Sequence, residues 1–210
     1  MLNLTQQEYE SIVFLTRCVY HDDLVYPSVL GFQHAVSLIN GLSMYIFYGN
    51  RFNLMVICGS NSLVDWIANL KVVLNITPNQ YYTALCHVLN VYKDMKCDKP
   101  LVIVGHSLGG GIAEYCASYF SGDVYAITFN GCPVKHLCEN RNNNANNIMH
   151  LVTKHDILNW LTDLVPGRTY LKHLGTNKYI ITDDFSFNPV KSHCNFNAFM
   201  SYIIKNHKEL

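Results

Sequence analysis

The chain has 210 residues, with Lys+Arg 15 balancing Asp+Glu 15 and half of its residues hydrophobic. That length is enough for one domain with a substantial core. The zero formal charge, without a basic stripe or acidic tail, excludes the usual electrostatic footprint of a nucleic-acid partner.

Eight cysteines do not make a disulfide framework here. There is no C-x-x-C pair, and Cys58, Cys86 and Cys116 sit in apolar runs, where cysteine acts as a small hydrophobe. Reduced thiols and a cytoplasmic setting are the expectation. Residues 1–20 carry Glu8, Glu10 and Arg17, so they do not read as a leader with a basic start and an apolar core, and secretion is not the expectation. Thr5-Gln6-Gln7-Glu8 reads instead as a capping box, with Leu4 and Tyr9 as its hydrophobic staple. Tyr9, Ile12, Val13, Thr16 and Tyr20 then share one face of a helix that packs on the body. No run approaches the roughly 20 apolar residues of a spanning helix.

Met44 to Tyr48 and Phe52 to Ile57 are rich in β-branched and aromatic residues, and Gly49-Asn50 turns between them, so this stretch reads as a hairpin. Gly59-Ser60-Asn61-Ser62 follows. On a helix beyond it, Leu63, Trp66, Ile67 and Leu70 share one face, with Ser62, Asp65 and Asn69 on the other. This is either a core-packing helix or an amphipathic lid that turns its apolar face outward at a lipid surface. Tyr81 to Met95 reads as a helix with Leu85, Val88, Leu89 and Tyr92 inward, ended by Asp98-Lys99-Pro100.

Leu101 to Val104 is a buried parallel strand running into Gly105-His106-Ser107-Leu108-Gly109, a G-x-S-x-G nucleophile elbow. Small residues two places either side of the serine let strand and helix pack closely. Ile112, Ala113, Cys116, Ala117 and Phe120 recur at helical spacing behind it. The start of that helix aims N–H groups and a positive dipole end at an oxyanion forming near Ser107. An inert strand–turn–helix would share the pattern, but the context on both sides favours a nucleophile.

Gly59-Ser60-Asn61-Ser62, Asp65-Trp66 and Asn69-Leu70, followed by Gly105-His106-Ser107-Leu108-Gly109-Gly110, together resemble the class 3 (fungal-type) lipase family. The resemblance runs from about the hairpin to the C-terminus. It implies an α/β-hydrolase fold, with a mainly parallel central sheet flanked by helices in a single domain of residues 1–210. Residues 1–42 would be an N-terminal helical segment packing on the body, and 60–75 a possible lid. The resemblance also implies an oxyanion hole from Ser60 and the Leu108 N–H, with Leu63, Trp66, Ile67 and Leu70 facing substrate. Cys58 stands where that family often has arginine.

Val124 to Phe129 is a further buried strand, closed by Asn130-Gly131-Cys132-Pro133, and residues 139–147 form a polar loop. Ile148 to Val152 is the next strand. Asp156, just past its end, is where the fold places the acid of a triad in the order Ser, Asp, His. It could otherwise cap a helix; Asp163 and the Asp183-Asp184 pair are its rivals. The base is then sought among His173, His193 and His207. His173 reads as part of a Tyr170–Leu174/Tyr179–Thr182 hairpin, and His207 lies near a charged terminus. His193 opens a helix buried through Phe196, Phe199, Met200 and Ile203, similar to the late histidine of class 3 lipases. A helix N-terminus would keep that imidazole neutral at rest.

No metal or other cofactor is expected, because neither H-x-x-x-H on one face nor H-E-x-x-H is present. The Asn75-Ile76-Thr77 sequon is read as chance. The sequence therefore points to a serine hydrolase in which Ser107, His193 and Asp156 cleave lipid-like acyl esters through an acyl-enzyme. Membrane contact would be transient and made through the lid. A small-ester esterase, a thioesterase or a non-catalytic lipase-like interaction protein is the alternative.

Overall fold

The computed structural model describes residues 2–20, 33–39, 42–58, 78–94, 98–138, 144–158, 172–175, 177–182 and 188–210. Ser60, the 60–75 segment with Leu63, Trp66, Ile67 and Leu70, the Asn75 sequon and the rival acids Asp163, Asp183 and Asp184 lie outside the described residues. In chain order the principal elements are α1 (Gln6–Tyr20), β1 (Gln33–Ile39), β2 (Leu42–Tyr48), β3 (Asn53–Ile57) and α2 (Pro78–Asp94). Next come β4 (Leu101–His106), α3 (Leu108–Ala117), β5 (Val124–Phe129), β6 (Ile148–Thr153), β7 (Asn177–Ile181), α4 (Pro189–His193) and α5 (Phe196–Asn206).

The pleat of β4 organises the layers. Its run is buried on both sides, as a central parallel strand must be. Leu101 and Ile103 point to one face, where Ile112, Ala113 and Cys116 of α3 and Val88 of α2 meet them. Val102 and Val104 point to the other, against Ile12, Leu15 and Val19 of α1 and Phe199 and Ile203 of α5. Alternation along one strand thus assigns helices to both faces.

The strands β1 to β7 form one sheet in chain order. β1–β2 and β2–β3 pair antiparallel; every pair from β3 to β7 is parallel. The expected hairpin is present, with Met44 opposite Ile57 and Tyr48 opposite Asn53.

At the entry to α1 the capping box is closed in both directions. The Glu8 N–H donates to Thr5 Oγ1 at 3.2 Å, and the Thr5 N–H donates to Glu8 Oε2 at 2.7 Å. Arg51, beyond the hairpin turn, donates to the same carboxylate at 2.7 Å and ties the helix start to the sheet. Full burial of Tyr9, Ile12 and Leu15 contributes roughly 1.5–3 kcal/mol for each large apolar side chain.

Three expectations need correction. Residues 1–42 are not wholly helical, because β1 lies within them and pairs with β2 through Gln33–Tyr48 to Ile39–Leu42. Leu89 of α2 is 43% exposed, because Tyr81, Ala84, Leu85 and Val88 already fill the inward stripe. Residues 172–175 carry no strand, and β7 joins β6 in parallel instead of folding back as a hairpin. Among the described residues no helix is long and apolar enough to cross a membrane.

Candidate active site

β4 ends at His106 and α3 begins at Leu108, so Ser107 alone makes the turn. Its φ is 56 and its ψ −125, a backbone combination that non-glycine residues avoid. The surrounding backbone imposes it. The Ser107 N–H donates to the Phe129 carbonyl at 3.1 Å, and the Ser107 carbonyl accepts from Gly111 N at 3.2 Å and Cys132 N at 3.0 Å.

The glycines are there for space. A Cβ on Gly105 would stand 2.2 Å from the carbonyl carbon and oxygen of Gly109. One on Gly110 would stand 2.8 Å from the Cα of Gly131, so the elbow also packs on the turn after β5. Leu108 opens α3, and the first N–H groups of a helix have no carbonyl within it to reach. Its N–H is therefore available at the mouth of the elbow. Cys132 beside it is no competing nucleophile, since burial pushes its thiol well above the ordinary range.

Asp156 lies in the turn beyond β6, where its N–H donates to the Thr153 carbonyl at 3.0 Å. It is fully buried, and its Oδ1 accepts a hydrogen bond from Nδ1 of His193, itself 2% exposed. With Nδ1–H committed to the carboxylate, Nε2 is the basic nitrogen of the ring. The structure thus brings Asp156 and His193 together and packs His193 against the elbow: the ring of His106, the neighbour of Ser107, lies 4.6 Å from that of His193.

The position of His193 differs from expectation. It closes the short α4 instead of opening the long helix, which begins at Phe196 with Asn195 as its cap. The helix-dipole argument for a neutral imidazole therefore lapses. What holds His193 is its main chain. Its carbonyl accepts from His106 Nε2 at 2.8 Å and from Asn130 Nδ2 at 2.8 Å. Burial, reinforced by the neighbouring His193, lowers His106 to about 3 and keeps it neutral. Neither His106 nor Asn130 stands out in the sequence beyond its place beside Gly105 or Gly131.

His173 serves elsewhere. Its Nδ1–H donates to Glu114 Oε2 at 2.7 Å, and the Leu174 N–H donates to the other oxygen of that fully buried carboxylate. His150 donates through Nε2 to the Leu174 carbonyl at 2.8 Å and accepts at Nδ1 from the Thr128 hydroxyl at 2.9 Å. Burial lowers His150 to about 4 and lowers His173 as well.

Nitrogen and oxygen atoms of Glu114, His150 and His173 lie within 4.8 Å of one another, a spacing that a metal ion could use. The two rings, however, stack at 4.2 Å with 35° between planes. Stacked rings do not aim their in-plane lone pairs at a common ion. The cluster is a hydrogen-bonded clamp joining α3 to residues 172–174 and β6.

Residues 43–163 match the Tle-like phospholipase domain, a phospholipase-like family. The extracellular phospholipase A1 of Serratia liquefaciens is 30% identical over 102 residues, which are 49% of this chain and 31% of that protein. The match thus spans about a third of the curated relative's length. A CIB-like hydrolase of Thermoplasma acidophilum superposes with a TM-score of 0.51 at 14% identity, over 85% of this chain and 99% of its own. The Francisella virulence factor BioJ gives 0.48 at 13% identity, over 96% and 93%. The fold is that of α/β hydrolases.

Proposed function

The chain belongs to the Tle-like phospholipase domain family, and we propose that it is a serine hydrolase of lipid-like acyl esters, phospholipids or acylglycerols, with Ser107, His193 and Asp156 as its triad. The observation that carries the reading is the buried Asp156–His193 hydrogen bond beside a serine in a strained, glycine-walled elbow. In the reaction, His193 Nε2 takes the hydroxyl proton as Ser107 Oγ attacks the ester carbonyl, and Asp156 stabilises the imidazolium that results. The Leu108 N–H, joined by Ser60, holds the oxyanion. Collapse of the tetrahedral intermediate expels the alcohol, which takes the proton from His193 and leaves an acyl-serine. Water, deprotonated by the same imidazole, then releases the acid and restores Ser107.

The lipid preference is supported by the family, by the phospholipase name of the Serratia relative and by the apolar stripe Leu63, Trp66, Ile67, Leu70 read as a lid. The finer likeness to class 3 lipases rests on the Gly59–Leu70 and Gly105–Gly110 motifs.

The test is labelling by a fluorophosphonate in detergent, comparing wild type with Ser107→Ala and His193→Ala, followed by hydrolysis of phospholipid in mixed micelles. Labelling is expected in the wild type and lost in both variants, with rates that rise as substrate passes from monomer to micelle. Folded wild type that takes up no probe would refute the triad. Rates indifferent to aggregation, or higher on thioesters, would refute the lipid assignment.

A further inference from the structure

β5 ends at Phe129, and the next residue, Asn130, has φ 44, in the left-handed region that a side chain enters at a cost. Any turn residue tolerant of that region would close the chain there. Asn130 does more, because its amide is wholly buried and bonded at both ends. Nδ2 donates to the His193 carbonyl at 2.8 Å and to Thr153 Oγ1 at 3.0 Å, with the Ser192 carbonyl at 3.3 Å. Oδ1 accepts from the Thr153 N–H at 2.8 Å. Thr153 passes the link on, its hydroxyl donating to the Ser192 carbonyl at 3.0 Å and its own carbonyl accepting from the Asp156 N–H.

One amide therefore spans the loop of the acid and the loop of the base. The base needs such a hold. His193 ends a helix of five residues and is followed by a break at Cys194 and Asn195, so no long element fixes it. Both acceptor positions of its carbonyl are taken, one by Asn130 and one by His106 from the elbow side. Fixing that carbonyl fixes where the imidazole starts, and proton transfer loses rate quickly with small misplacements.

We propose that Asn130 is a positioning residue for the reaction: its buried amide, with His106, holds the main chain of His193 so that the imidazole spans Asp156 and Ser107. This rests on the triad reading above. The alternative is that Asn130 merely closes the turn after β5.

Two variants separate these. Asn130→Gly keeps the left-handed backbone and deletes the amide. Asn130→Asp keeps the shape and the acceptor for Thr153 but donates to His193 only when its acid is protonated. Competent sites are counted by fluorophosphonate titration, and kcat and KM on a soluble nitrophenyl ester are expressed per titrated site, so partial misfolding does not enter. The expected result is kcat per site 10- to 100-fold below wild type in both variants, with KM within twofold. In Asn130→Asp the deficit should widen as pH rises from 5 to 8; in Asn130→Gly it should stay constant. A kcat per site within twofold of wild type in either variant, with the loss confined to thermal stability or to the number of sites, would overturn the proposal. Failure of the triad reading itself looks different, since the wild type would then take up no probe.

Discussion

Ser107 stores backbone strain, and its energy can be measured by comparing two inactive variants. Ser107→Ala and Ser107→Gly both remove the nucleophilic hydroxyl, so lost hydrogen bonding cancels between them. They differ in whether a Cβ must sit at φ 56, ψ −125. Sparsely populated backbone regions cost about 1–3 kcal/mol, and this ψ lies far from the left-handed helical well, which argues for the upper half of that range. Glycine returns roughly 0.4–1 kcal/mol through its freer unfolded chain and loses about 0.8 kcal/mol of methyl burial. The balance leaves Ser107→Gly more stable than Ser107→Ala by about 1 kcal/mol, or about 2–4 °C in Tm for a chain of this size. Urea unfolding of the pair, followed by tryptophan fluorescence and circular dichroism, reads the difference directly. Equal stability, or a glycine variant weaker than alanine, would show that the elbow is relaxed and that the argument from φ fails.

Gly105→Ala keeps the serine but should displace it, because the added Cβ meets backbone at 2.2 Å where ordinary contact begins near 3.4 Å, so the start of α3 must move by about 1 Å. A loss of at least 100-fold in kcat is expected, with about 1–3 kcal/mol of stability; near-normal activity would mean that the elbow does not need its tight closure. Acid should destabilise the fold well above carboxylate titration. His106 and His150, lowered by burial to about 3 and about 4, stay neutral when folded but bind protons below about pH 6.5 when unfolded. The unfolded state then holds more protons, so stability falls as pH drops from 6.5 towards 4, by up to about 3 kcal/mol per pH unit for the two together. Urea midpoints that are flat between pH 7 and pH 5 would contradict this.

The elbow and the central strands were legible because both depend on local pattern: a doubly buried strand is one continuous apolar run, and a serine turn needs glycine. The place of Asp156 just past β6 was legible from where the apolar run of that strand stops. β1 was not, since Gln33-His34-Ala35-Val36-Ser37-Leu38-Ile39 has no clean alternation and takes its register from β2. The break after His193 does have a signature in the sequence. Asn188 and Asn195 each cap a helix, accepting from Lys191 N and Ala198 N, and two caps so close together mark two helices. Asn130 and Glu114 were beyond reach for another reason. Both are polar residues whose partners lie far along the chain, and the chemistry of a buried amide or carboxylate is set by those partners rather than by its neighbours in sequence.

Strand order has a consequence for the birth of the molecule. Because β1 to β7 are laid down side by side in the order of synthesis, the sheet can grow strand by strand as the chain leaves the ribosome. A nascent chain that has reached Phe129 carries Ser107 but neither Asp156 nor His193, and one that has reached Thr153 still lacks both. On the proposed chemistry, no translation intermediate shorter than His193 can attack a lipid. The helix α5 that follows packs against α1, so an element made before the sheet is covered by one made after it.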